Sequence, residues 1–182
     1  MSPAIYIDVD ETLVWTARVS SHPELVKLPE HKIIKSDIAD YISFLRPGAK
    51  ELIAECQKLG NTAILTAGHG PFQTEVLAAH GITGLKVYGR GTQTLPAAYT
   101  KILIEDLDIC TMGAQEKLHL LLRDADIDHW GRIEEPLPAE VKYIKVKPWY
   151  APNMADMELQ KATAQMQKII SELQKPAIPE IS

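Results

Sequence analysis

The sequence predicts an α/β chain built on a parallel sheet with helices on both faces, and three observations lead there. Short apolar runs rich in β-branched residues recur at Ile5-Tyr6-Ile7, Thr62-Ala63-Ile64-Leu65 and Ile102-Leu103-Ile104. Such runs, bounded by turn residues, are the mark of strands covered on both sides. Between them lie segments whose apolar residues return every third or fourth position, as one-sided helices require. Strands alternating with helices imply a parallel sheet. With 182 residues and 46% hydrophobic content, the chain has enough apolar surface for one buried core. A single domain is expected over residues 1–175, with a loose proline-containing tail over 176–182.

The first strand runs into Asp8-Val9-Asp10-Glu11-Thr12-Leu13-Val14. Residues 15–32 are mixed and interrupted by Pro23 and Pro29, which predicts irregular chain. Ile33-Ile34-Lys35 and Tyr41-Ile42-Ser43-Phe44-Leu45 flank the turn-like Ser36-Asp37. Residues 13–45 are therefore read as a small flap or hairpin inserted after strand one. Pro47 sits near the start of a helix, where its missing N–H costs nothing. Ala49, Leu52, Ile53, Cys56 and Leu59 keep helical spacing, and Gly60 closes the segment.

Residues 62–66 form the second strand. Ala67-Gly68-His69-Gly70 predicts a tight loop, and Pro71 opens a helix to about residue 79. A third strand is expected over 84–88 and a fourth over 102–105. A helix over about 114–123 and an alternating strand over 141–146 follow. The last helix, over about 156–174, should bury Leu159, Ala162, Met166, Ile169, Ile170 and Leu173. Trp149-Tyr150 should pack this helix against the sheet, and Trp15 should pack in the core or border the site entrance. The whole corresponds to a Rossmann-like core without a large cap domain.

Composition removes several classes of function. A net charge of -5 offers no basic field for nucleic-acid phosphates and argues against long nucleic acid as a partner. Two cysteines, Cys56 and Cys110, cannot build a disulfide framework and lack metal-ligand spacing, which suits a reducing cytoplasm. No apolar stretch reaches transmembrane length, and Met1-Ser2-Pro3-Ala4 lacks a basic leader, so no membrane partner is expected. The histidines, His69 beside the loop included, have no spacing suited to a metal.

The chemistry concentrates at strand ends. Asp8 and Asp10 sit one residue apart at the end of strand one, where alternation puts both acids on one side. Two anions held that close need a cation or a proton to coexist, and Mg²⁺ with oxygen ligands is the obvious cation. Thr66 ends strand two before a glycine-rich turn and a helix start, where its hydroxyl and backbone N–H groups, including that of Ala67, suit a phosphoryl oxygen. Glu105-Asp106 ends strand four. Taken singly, Thr66 reads first as a helix cap or turn threonine, and the acids read equally as a solvated loop. In a parallel sheet, however, these strand ends share one edge, so Asp8, Asp10, Thr66 and Asp106 should meet in a single crevice.

These residues resemble the motifs of the haloacid dehalogenase-like phosphohydrolases. Residues Asp8-Val9-Asp10-Glu11-Thr12-Leu13-Val14 look like the first motif, Thr66 the second and Glu105-Asp106 the fourth. Within that superfamily the wording is similar to the branch of RNA polymerase C-terminal-domain phosphatases and NLI-interacting-factor-like proteins. Phe44-Leu45-Arg46-Pro47-Gly48-Ala49-Lys50-Glu51-Leu52 and Leu65-Thr66-Ala67-Gly68 carry the same likeness. The resemblance implies a Mg²⁺-dependent phosphomonoester hydrolase. Asp8 would attack phosphorus and form an aspartyl-phosphate. Asp10 would protonate the leaving oxygen and later deprotonate water. Mg²⁺ would be held by Asp8, by the main-chain carbonyl of Asp10 and by Asp106. Thr66 would orient the transferring group.

Two departures stand out against the motifs. Glu105 takes a place where aspartate is common, which adds one methylene. The third-motif lysine has no obvious counterpart. Arg90, just past strand three at the correct edge, is favoured for phosphate binding, with Lys86 and Lys101 as alternatives. Lys101 begins strand four, roughly 13 Å from the edge that carries Asp106. With only residues 13–45 available above the site, the crevice should be open to a phosphorylated protein, a nucleotide or a small ester. Two other readings remain on the same fold: a non-catalytic phosphate-binding or scaffolding module, and a nucleotidase or polynucleotide-end phosphatase.

Overall fold

The computed structural model describes residues 2–122, 133–134, 136–150 and 153–174. The expected tail over 176–182 and the helix end at Arg123 lie outside the described residues. The chain forms β1 Ala4–Ile7, β2 Val14–Arg18, β3 Lys32–Lys35, β4 Asp40–Leu45, α1 Ala49–Leu59 and β5 Asn61–Leu65. It continues with α2 Gly70–Ala79, β6 Lys86–Tyr88, β7 Lys101–Glu105, α3 Met112–Leu122, β8 Val141–Lys145 and α4 Glu158–Leu173.

A five-stranded parallel sheet runs in the order β6-β5-β1-β7-β8. Its centre, β1, is flanked by β5 and β7, with Ile7 opposite both Ile64 and Ile104. All three strands therefore end at one level, and the residues that follow them share one edge. Side chains alternate between two cores, as pleating requires. Ile5, Ile7, Ile64, Ile102 and Ile104 pack with Leu52 and Ile53 of α1, Val76 and Leu77 of α2, and Met166 and Ile170 of α4. Ala4, Tyr6, Leu65 and Leu103 pack on the other face with Leu118, Leu121 and Leu122 of α3. Helices thus cover both faces, as the apolar strands demand.

The insertion is larger in secondary structure than expected. Residues 14–18 are a strand, and β2-β4-β3 form a separate three-stranded antiparallel sheet. The irregular reading of 15–32 holds only beyond Arg18, where two 3-10 turns, Val19–Ser21 and Pro23–Lys27, follow. Trp15-Thr16-Ala17 is half-buried without alternation, which hid the strand. A second correction concerns Trp149. It packs with Ile42 and Phe44 of the insertion sheet, not between α4 and the main sheet, and its Nε1 donates to the Asn153 carbonyl at 2.9 Å. Trp15 joins this cluster, its ring 6.3 Å from that of Phe44. In α4 the stripe stops at Ile170; Leu173, in the last turn, is exposed.

Candidate active site

Pleating places the first two acids. Asp8 continues the Tyr6 side of β1, and Glu105 the Leu103 side of β7, so both face α3. There Lys117 stands in the helix's buried stripe with Ala114, Leu118, Leu121 and Leu122. Its ammonium donates to Asp8 Oδ1 at 2.5 Å and also pairs with Glu105 Oε2. All three side chains are buried. Glu105 Oε1 turns back to accept the main-chain N–H groups of Asp106 and Leu107 at 3.2 and 3.3 Å. Asp106 Oδ1 accepts the hydroxyl of Thr12 at 3.1 Å. One oxygen each of Asp8, Glu105 and Asp106 lies within 4.8 Å of the others.

This crowding sets the charges. Burial, followed by the neighbouring charge of Asp8, pushes the Glu105 carboxyl up to about 8. Burial also raises Asp8 and Asp106, against the opposing pull of Lys117. Burial alone would depress the Lys117 ammonium, but Asp8 and Glu105 hold it above the usual lysine range. Three carboxyl groups crowd one ammonium, so ionising all of them calls for further positive charge. Hard oxygen donors at this spacing fit a divalent cation.

The second half of the site is built on the β5–α2 loop. Thr66 Oγ1 accepts the Gly68 N–H at 3.0 Å. Asp10 Oδ2 accepts Nε2 of Gln73, in the first turn of α2, at 2.7 Å. A Cβ on Gly68 would lie 3.2 Å from Thr66 Oγ1 and 3.4 Å from Asp10 Oδ2, so the two expected residues flank one point. Ala67 stands half-buried beside them. Desolvation and the charge of Asp8 raise the Asp10 carboxyl. The loop is pinned from behind: Arg90 N–H donates to Gly68 O at 2.8 Å, and Gly89 approaches so closely that a Cβ there would sit 2.5 Å from Gly70 N. Only glycine permits that contact.

The three expected phosphate-binding cations take different places. Arg90 reaches the loop by its main chain, and its side chain is exposed. Lys86 lies over the Tyr88 ring at 4.9 Å. Lys101 pairs in register with Ala4 at the far end of the sheet and donates to Leu121 O at 2.6 Å. The cation beside Asp8 is Lys117, which follows the acids in sequence. A lysine on the apolar stripe of a helix was the available signal. Among carboxylates, Glu105 joins the expected Asp8 and Asp106, while the Asp10 carboxylate turns to Gln73.

Arg46 holds the turn that carries these acids. Glu11, directly after Asp10, has a φ of 60°, a backbone state that non-glycine residues adopt at a cost. Buried Arg46 donates Nη1 to the carbonyls of Glu11 and Thr12 at 3.1 and 3.2 Å. Its Nε and Nη2 grip Asp156 at 2.9 and 3.0 Å, and Nη2 reaches Lys147 O at 2.8 Å. Trp149 N–H adds a bond to Glu11 O at 2.8 Å.

Comparison with solved structures gives the same architecture. The chain is similar to a structure titled "The Structure of Fcp1, an essential RNA polymerase II CTD phosphatase", with a TM-score of 0.57 at 14% identity. That similarity covers 93% of this chain and 62% of the other. A fission yeast RNA polymerase II CTD phosphatase, Fcp1-R271A bound to beryllium fluoride, gives a TM-score of 0.53 at 14% identity. Here 94% of this chain and 51% of the other are covered, so the chain spans less than two thirds of either relative. No curated protein is a significant match. The model of the NLI interacting factor-like phosphatase family matches residues 3–176. The chain therefore belongs to the NLI interacting factor-like phosphatase family.

Proposed function

We propose that this chain is a Mg²⁺-dependent phosphomonoester hydrolase that works through an aspartyl-phosphate on Asp8. The observation that carries the reading is the meeting of Asp8, Asp106 and Lys117 at one sheet edge, beside Asp10 and the Thr66 loop. A carboxylate oxygen of Asp8 attacks phosphorus and forms an O–P bond as the bond to the leaving oxygen breaks. Asp10 gives its proton to that oxygen. It then takes a proton from water as the water attacks phosphorus, which breaks the Asp8–phosphorus bond and releases inorganic phosphate.

Asp8 and Asp106, with the main-chain carbonyl of Asp10, would hold Mg²⁺. Glu105 is already engaged by Lys117 and by two main-chain N–H groups. When bound, the ion supplies positive charge against the phosphate oxygens. Lys117 takes the third-motif place for which sequence reasoning favoured Arg90 as a phosphate binder, and its charge opposes the burial that raises Asp8. The hydroxyl of Thr66, braced by the Gly68 N–H, and the N–H of Ala67 orient the transferring group. The named activity of the Fcp1 structures supports a phosphorylated protein segment as substrate.

Phosphate release from an aryl phosphate is the direct test. Release should require Mg²⁺, stop with a chelator and fall to background in Asp8→Asn. Equal release by wild type and Asp8→Asn would overturn the reading.

A further inference from the structure

Gln73 is buried, although a glutamine in the first turn of a helix ordinarily reaches water. Its Nε2 donates to Asp10, while its Oε1 is a buried acceptor without a hydrogen-bond partner among the described residues. Buried carbonyl oxygens left this way are rare, because their lost hydration is not replaced. An apolar side chain of similar size would avoid that penalty, so packing does not account for the amide. Space for it is made by Gly68, where a Cβ would come within 2.9 Å of Nε2. No other hydrogen bond in the described structure fixes the Asp10 carboxyl.

From these contacts we infer that Gln73 is a positioning residue, whose amide holds the Asp10 carboxyl against the phosphate loop and aims it at the oxygen leaving phosphorus. The role rests on the hydrolase reading above. Proton transfer requires the donor within hydrogen-bond reach of the leaving oxygen, and a carboxyl free to rotate spends less time there. The consequence depends on the leaving group. An aryl oxide departs readily without a proton, whereas an alkyl oxide needs one. Loss of aim should therefore slow an alkyl ester more than an aryl ester.

The test compares turnover of an aryl and an alkyl phosphate by the full chain with Mg²⁺, in wild type and in Gln73→Leu, with thermal unfolding of both. The expected result is a fall of roughly tenfold or more in the alkyl-to-aryl kcat ratio, within the span of general acid catalysis. KM should change little. The Tm should match or exceed that of wild type, since the unpaired oxygen is gone. Gln73→Glu, of equal size but without the amide donor, should also lower the ratio. An unchanged ratio in an active enzyme, or a rise in KM in place of the kcat loss, would overturn the role alone. So would a lower Tm in Gln73→Leu, which would make Gln73 a support for the fold. Absence of phosphate release from either ester by wild type would instead remove the hydrolase reading, and this role with it.

Discussion

Lys117 shows most sharply what the residue scale reveals. Its ammonium sits between Asp8 and Glu105, with all three groups out of water. Removing one partner from such a buried set leaves charges uncompensated, at a cost of about 3–5 kcal/mol. Lys117→Met should therefore lower stability by that order in denaturant unfolding. It should also lower kcat by ~10²-fold or more, the scale of losing one charge-stabilising group. A variant with wild-type kcat would deny Lys117 its role. Asp8, Asp10, Thr66 and Asp106 were legible in the sequence because carboxyl ends of parallel strands share an edge. Lys117 and Gln73 were not. Each lies on a helix, where only the packing direction decides whether a polar side chain reaches water or the site.

At the scale of elements, Arg46 and His80 join parts distant in sequence. Arg46 precedes α1, yet it ties the turn after β1 to the segments before α4. Lysine cannot reproduce its fork of donors. Arg46→Lys should cost about 3–5 kcal/mol and lower the Tm, because carbonyls and Asp156 lose their partners together. At the end of α2, buried His80 shares a 2.9 Å hydrogen bond with Ser43 of β4. Burial, with the charges of Lys32 and Lys50, lowers the imidazole from 6.5 to about 4. Between these values the unfolded chain binds a proton that the native chain refuses. Stability from this contact is therefore complete above 6.5 and lost as pH falls toward 4. Urea unfolding should show a decline of at most about 3 kcal/mol over that window, and His80→Gln should flatten it. The strand β2 was illegible because Thr16 and Ala17 carry no apolar alternation; its pairing with β4 is what makes it a strand.

For the whole molecule, the order of elements and the parallel sheet followed from sequence, since apolar strand runs and one-sided helices each permit few arrangements. The insertion sheet and its Trp149 cluster did not, because they depend on contacts between segments more than a hundred residues apart, such as Ile42 and Trp149. The result is a sheet edge where acids of β1 and β7, a lysine of α3 and the α2 loop converge. At that edge the proposed function has Asp8 take up the phosphoryl group. The most direct measurement is peptide mass spectrometry of the protein quenched in acid during turnover of an aryl phosphate with Mg²⁺. The account predicts one hydroxylamine-labile phosphoryl group on the peptide carrying Asp8, absent in Asp8→Asn. Turnover with the phosphoryl group on another residue would contradict it.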